Sequence, residues 1–406
     1  MVERLPLVII GAGHAGLSLS HELTAAGVEH VILERGRVAQ SWRSRWDSFC
    51  LVTPNWTVRL PGGAYDGDDP DGFMPRDRIV EHMERYATGF GAPVREGVAV
   101  TSVQPHGDGG FLMDTSAGQI RADALALASG AYQKPFRPPG ASDLPDSMHV
   151  IDAEGYRSPE ALPPGRVLVV GSGQTGCQIA EELHEADRDV VLASGRAPWV
   201  PRRLEGRDIV KWMAQTSFMH HTAADLPSPM ARLVSNLLVS GQGGGHDLNW
   251  RTLQAAGVTL AGHFRGVEGD NIVFAPDLAE SVAFGDARYA ELRPFLQESA
   301  AKLGVEVPQL PEPAPFVADP PERISARDID VVIFTCGFRP DFTRWVHLPD
   351  AFDDMGFPIA TDGQSTNVPG LFFIGTHFLR KRKSATLFGI EEDAPIVAER
   401  IAATRH

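Results

Sequence analysis

The 406-residue chain has little cysteine: Cys50, Cys177 and Cys336 stand far apart. No CxxC or similar pair occurs, so neither a zinc site nor a redox-active dithiol is readable, and three thiols make no disulfide framework. No apolar run approaches the roughly 18 residues needed to cross a bilayer. The opening Met-Val-Glu-Arg-Leu-Pro passes into six apolar residues without a signal-peptide pattern. Positive charge is also short: 37 Lys and Arg face 52 Asp and Glu, a formal net charge of −15. That balance argues against nucleic acid as a main partner. No Ser–His–Asp set, paired carboxylates or HExxH appears at informative spacing. These absences predict a cytoplasmic protein with no membrane span, no nucleic-acid partner and no resident metal.

Glycine, in contrast, is abundant at 41 residues, and much of it falls at regular places. Short apolar runs end in glycine or a turn: Leu5–Ile10, Val31–Leu33, Leu125–Ala128, Val167–Val170, Val190–Leu192, Val331–Phe334 and Leu371–Ile374. Runs of this kind without polar alternation suit strands buried on both faces of a parallel sheet. Amphipathic stretches at Ala15–Ala26 and Thr175–Ala186 read as crossover helices, so the fold class is α/β. An internal repeat stands out. Leu7-Val-Ile-Ile-Gly11-Ala-Gly13-His-Ala-Gly16 matches Val167-Leu-Val-Val-Gly171-Ser-Gly173-Gln-Thr-Gly176. The chain therefore holds two Rossmann-type units. We assign residues 1–155 and 322–406 to the first domain and 156–321 to the second, with a helical extension over about 205–320.

Each GxGxxG follows a strand, opens a helix and closes a βαβ unit, the context that turns the motif into a dinucleotide site. Gly11 and Gly171 make the tight turn, Gly13 and Gly173 admit a pyrophosphate to the helix terminus, and Gly16 and Gly176 let helix approach strand. The second strand of the first unit ends at Glu34, with Arg35 beside it. A carboxylate there accepts the hydroxyls of an adenosine ribose, which suits FAD or NAD. The equivalent position in the second unit is Ser194, followed by Gly195 and Arg196, which would welcome a 2′-phosphate. Arg202 and Arg203 are further candidates for that clamp, with a solvated surface pair as the alternative. The chemistry points to FAD in the first site and NADPH in the second.

Further motifs resemble the class B flavin-dependent monooxygenases: flavin-containing monooxygenases, YUCCA-type enzymes, Baeyer–Villiger relatives and short bacterial flavoproteins of this kind. Gln40-Ser-Trp42-Arg43 is similar to their GG-x-W-R segment, and Arg45–Pro54 to the stretch along the flavin ring. Ser129-Gly130-Ala131-Tyr132 through Pro138 resembles the exit from the FAD domain, and Thr335–Phe342 the return to it. Thr366–Gly375 resembles the C-terminal flavin motif, with Thr376 where the family carries Asp. The family's linker signature is degraded here: His149 and Tyr156–Pro159 survive.

The resemblance implies a pyridine nucleotide-disulfide reductase-like fold with the NADPH domain inserted in the FAD domain. It adds Trp42, Arg43, Gly130 and Gly375 to the FAD contacts and implies Trp46, Thr53 and His377 as catalytic candidates, with packed core aromatics as the alternative for Trp42 and Trp46. It also implies an NADPH-dependent monooxygenase that oxygenates a small molecule with O2 through a flavin C4a-(hydro)peroxide, and it leaves room for a homodimer. An NADPH-dependent flavin oxidoreductase or oxidase without oxygen insertion is the alternative, and a nucleotide-sensing regulator of ion transport a third reading. His14 reads as a variable position, Cys336 as a packed residue, and the run Arg380–Lys383 as a solvated face or an anion-facing segment.

Overall fold

The apolar runs become strands. In the computed structural model, which describes residues 2–107, 109–234 and 236–404, strand β1 (Glu3–Ile10) is buried from Leu7 onward. Leu7 and Ile9 enter one core while Val8 and Ile10 enter the opposite one. Both faces are therefore covered, and polar alternation would have placed charge in a core. The chain turns at Gly11 into helix α1 (His14–Ala25) and returns as β2 (Val31–Glu34). β1 pairs in parallel with β2, Ile10 opposite Leu33, and on its other edge with Gly118–Leu127, Ile10 opposite Leu127. This sheet has nine strands, including Leu371–Phe373 beside Gly118–Leu127.

The second unit repeats the plan. Val167–Val170 is wholly buried, with Val167 and Val169 in one core and Leu168 and Val170 in the other. It lies inside a five-stranded parallel sheet ordered His149–Asp152, Val331–Phe334, Val167–Val170, Val190–Ala193, Thr259–Ala261. The domain limits drawn from sequence move accordingly. Residues 149–152 and 331–334 belong to the second sheet, and Arg323–Ser325 pairs with Asn271–Phe274 of the same domain. The second domain therefore runs from about 149 to 334, because strand pairing at both ends draws it outward. The segment over 205–320 is also more than a helical extension: Thr259–Ala261 is the edge strand of the core sheet, and Phe264–Glu268 forms a small antiparallel sheet with its neighbours. Its helices Leu278–Ala290 and Leu292–Leu303 pack on the core through Val282, Tyr289 and Leu296.

The two polypeptide connections between domains pair with each other. Lys134–Pro135 and Phe338–Arg339 form a two-stranded antiparallel ribbon, and Gln133 Oε1 accepts the Asp341 amide at 2.6 Å.

In both loops the third glycine meets backbone. A Cβ on Gly16 would lie 1.9 Å from the Gly11 carbonyl oxygen, and one on Gly176 1.8 Å from that of Gly171. A Cβ on Gly13 would meet nothing nearer than Ser41 Oγ at 3.9 Å. We expect Gly16→Ala and Gly176→Ala each to cost about 1–3 kcal/mol or more, the range of overpacking, and Gly13→Ala to be near neutral. Urea midpoints of the three variants without added nucleotide check this; equal midpoints would refute the close approach.

Candidate active site

The first glycine loop presents uncapped amides. α1 begins after Gly13 without a side-chain cap and carries no acidic residue in its first turn, so its N-terminal N–H groups await an anion. Glu34 is buried at the end of β2, where its carboxylate accepts the Ala12 amide at 2.8 Å and the Gly36 amide at 2.9 Å. A carboxylate has about four acceptor positions, so two remain for a diol. Arg35 is exposed beside it. Gly375 reaches the same place from the far strand: its φ is +72°, and a Cβ there would lie 2.5 Å from that of Ala15. Gly130 has open space where a Cβ would stand.

Three buried polar atoms in segments reaching this loop lack partners among the described residues: His14 Nε2, Trp42 Nε1 and Thr376 Oγ1. Orphaned buried donors are uncommon in native structures. The cradle at Gly13, the free acceptors on Glu34 and these orphans fit an FAD molecule. Arg43 instead holds the loop itself, donating to the Val38 carbonyl at 3.0 Å and pairing with Glu84.

Of the three catalytic candidates, the structure brings one into the region above α1. His377 follows Gly375, and its ring packs edge-on against Tyr132 at 5.2 Å. The guanidinium of Arg45 lies over that same Tyr132 ring, 5.6 Å from its centroid. Burial pulls Arg45 below its ordinary value, and no ion pair to it is found among the described residues. Sequence reading passed over Arg45, although it lies inside the quoted flavin stretch. Thr53 Oγ1 is taken up by the Thr57 hydroxyl at 2.8 Å. Trp46 is a correction: it is 4% exposed and belongs to the second domain's core with Tyr156 and Leu162. Its neighbours are thus core side chains, because the segment after Trp42 dives between the domains.

The second loop carries the same helix terminus, Gly173 preceding Gln174–Glu185 without a side-chain cap or first-turn acid. Its expected phosphate clamp needs two corrections. Ser194 is fully buried and its hydroxyl donates to the Leu192 carbonyl, since just past the strand end its amide is still tied to the Ala261 carbonyl at 2.9 Å. Arg202 is 1% exposed and committed to Asp208 at 2.5 Å and to the Val52 carbonyl at 2.8 Å; it fastens the second domain to the first. Arg203 caps the carbonyls of Gly244 and Gly245. Arg196 is exposed, and His263 stands nearby, its Nε2 3.4 Å from where a Cβ on Gly195 would sit. Asp277 orients His263 through Nδ1 at 2.8 Å. No local signal could have revealed His263, because the sheet brings it across from a distant strand. Ser172, which bridges the loop to Gly195 in both directions at 2.9 Å, occupies a variable position of the motif.

The thiols are protected. Burial pushes Cys50 up to about 11, Cys336 up to about 12, and Cys177 upward as well.

Comparison with known proteins agrees with the fold. The family described as pyridine nucleotide-disulphide oxidoreductase matches residues 8–221. The chain is 30% identical over 396 residues to an "Uncharacterized oxidoreductase CzcO-like" of Geobacillus kaustophilus, covering 97% of each. It is 24% identical over 359 residues to "Probable indole-3-pyruvate monooxygenase YUCCA1" of Arabidopsis thaliana, covering 86% of this chain and 80% of that one. A solved flavin-containing monooxygenase from Stenotrophomonas maltophilia, 17% identical, aligns over the whole of both chains with a TM-score of 0.66.

Burial lowers His14 and His377 each from 6.5 to about 4, a main-chain bond with Ala385 opposing the shift at His14. Between those values the unfolded chain binds a proton that the fold refuses, so stability falls as pH falls through that interval. His377→Asn should remove one such proton, making acid destabilisation shallower by up to about 1.4 kcal/mol per pH unit. Urea midpoints between pH 6.5 and 4 measure it; parallel curves for variant and wild type would refute a neutral buried ring.

Proposed function

Because the chain belongs to the pyridine nucleotide-disulphide oxidoreductase family, we propose that it is an NADPH-dependent flavoprotein monooxygenase. It binds FAD at the first glycine loop and NADPH at the second, and it oxygenates a small organic substrate at nitrogen, sulfur or a carbonyl carbon. The observation that carries this reading is the wall above α1. There a half-buried, neutral His377, the exposed Tyr132 ring and Arg45, which has no ion pair among the described residues, stand together, with no activated thiol among the three cysteines. Thiol chemistry needs a thiolate, and these thiols are held protonated. A sequence relative named as a monooxygenase supports the same choice.

Bound FAD supplies the redox chemistry, two-electron transfer from NADPH and activation of O2. The chain's own residues bind, orient and dry. The α1 amides and the open cradle at Gly13 hold a pyrophosphate. Glu34 accepts ribose hydroxyls with its two remaining acceptor positions, and Trp42 and Thr376 offer polar groups left without partners. His377, uncharged at neutral pH, closes the wall without delivering a proton, and exclusion of water protects reactive oxygen species from loss. Arg45 keeps a fixed positive charge there. Arg196, with His263 held by Asp277, receives the 2′-phosphate that distinguishes NADPH from NADH.

Three outcomes follow for the bound nucleotides and for coupling. Purified protein should carry FAD, and Gly13→Leu should lose it while keeping its far-ultraviolet spectrum, since a Cβ at this position meets no neighbour in the loop closer than 3.9 Å. A colourless wild type that ignores added FAD would overturn the assignment. Arg196→Ala should raise KM for NADPH about tenfold or more, the scale of a charged hydrogen bond, and leave KM for NADH unchanged. With amines, thioethers and ketones supplied in turn, at least one class should lower hydrogen peroxide release below one per NADPH. A ratio of one with every class would make the protein an oxidase.

A further inference from the structure

The second glycine loop is fastened to the turn beside it. Ser172 accepts the Gly195 amide and donates to the Gly195 carbonyl, both at 2.9 Å, so the turn after Val190–Ala193 holds one position against the loop. Across the sheet edge, His263 stands two residues past the strand Thr259–Ala261. It brings Nε2 to 3.4 Å from where a Cβ on Gly195 would sit. Arg196, the next residue of the turn, is exposed. Neither His263 Nε2 nor the Arg196 guanidinium has a hydrogen-bond partner among the described residues.

The other ring nitrogen is committed. Asp277, just before the helix Leu278–Ala290, accepts Nδ1 at 2.8 Å and the His263 amide at 2.9 Å. Burial opposes the charge on Asp277, but the amide, charge and ring of His263 outweigh it and hold the carboxyl below its ordinary value. Asp277 is therefore ionised at neutral pH and, being an acceptor only, keeps the hydrogen on Nδ1. Arg265, two residues along from His263, also acts on Asp277; it and Arg196 are cations throughout this range.

The consequence falls on Nε2. In the neutral ring it carries only a lone pair, which a ribose 2′-hydroxyl can satisfy and a 2′-phosphate dianion cannot. In the protonated ring it is a charged donor, which suits the phosphate. Imidazole is the side chain that makes such a change between about pH 5 and 8. We propose that the proton on His263 controls the choice between the two nicotinamide dinucleotides, the 2′-phosphorylated form gaining over the plain one as pH falls, while Arg196 supplies the part of the preference that is independent of pH. This rests on the reading that the second loop binds NADPH and adds a regulation to it.

The test uses FAD-loaded protein with the oxidised nucleotides NADP⁺ and NAD⁺, so that nothing turns over. Calorimetric titrations run from about pH 8.5 to 6.5, above the second ionisation of the phosphate near pH 6. Wild-type affinity for NADP⁺ should rise about tenfold over that range, the scale of a charged hydrogen bond, and affinity for NAD⁺ should not rise. Titrations in two buffers of different ionisation enthalpy should show proton uptake with NADP⁺ alone. H263Q should abolish the rise and the uptake with FAD content and melting temperature held, and R196A should weaken NADP⁺ at every pH but keep the slope. D277N keeps the ring and removes the anion that favours its proton, so its rise should move to lower pH. An NADP⁺ affinity independent of pH, a rise shared by NAD⁺, a rise that survives H263Q, or one unmoved in D277N would overturn the control by His263 and leave the NADPH assignment standing. NAD⁺ bound more tightly than NADP⁺ at every pH would overturn that assignment, and this inference with it.

Discussion

Each nucleotide loop is braced by a carbonyl from the strand that leaves its own sheet. The Ala128 oxygen would lie 2.6 Å from a Cβ on Gly11, and the Thr335 oxygen 2.9 Å from one on Gly171. Only glycine, at φ +110° in both cases, lets the exit pass so close. The exits that press on these glycines then run into the paired ribbon of Lys134–Pro135 and Phe338–Arg339. The position of one helix terminus is thereby tied to that of the other through a few residues of backbone. Under the proposed function two dinucleotides exchange a hydride and need such a tie, because small misplacements of reacting groups cost large factors in rate.

A chain with a net charge of −15 still offers its ligands positive surroundings, because local fields decide binding inside a low-dielectric cleft. The helix termini after Gly13 and Gly173 carry partial positive charge, and Arg45 lies over an aromatic ring. Arg202 shows the contrasting use of the same residue type. Its charge is spent on Asp208 and on the Val52 carbonyl, so it joins domains and leaves no donor fork for a phosphate. An arginine's surroundings, more than its place in the chain, decide which of these it does.

Features that depend on neighbours in sequence were legible without coordinates. The glycine spacing, the strand-end Glu34 and the two exits are local patterns, each dictated by backbone sterics or by a single turn. The first and last strands of the second domain were misplaced because pairing of His149–Asp152 and Val331–Phe334 across almost two hundred residues leaves no local trace. Ser194 failed as a clamp because the residue just past the strand is still bonded to the neighbouring edge strand and turns its hydroxyl back to the Leu192 carbonyl. Trp46 and Arg202 failed because a residue near a site in sequence can face a core instead. His263 was invisible for the same reason in reverse: the sheet brings it in from far away.

The most direct check joins both loops in one observation. FAD-loaded protein is titrated with NADPH in the absence of oxygen, and the flavin absorbance is followed. Two loops coupled through the paired exits require that one equivalent of NADPH bleach one FAD per chain without any added thiol. Flavin that stays oxidised under NADPH, or that is reduced only by a dithiol, would show that the two sites do not work as one.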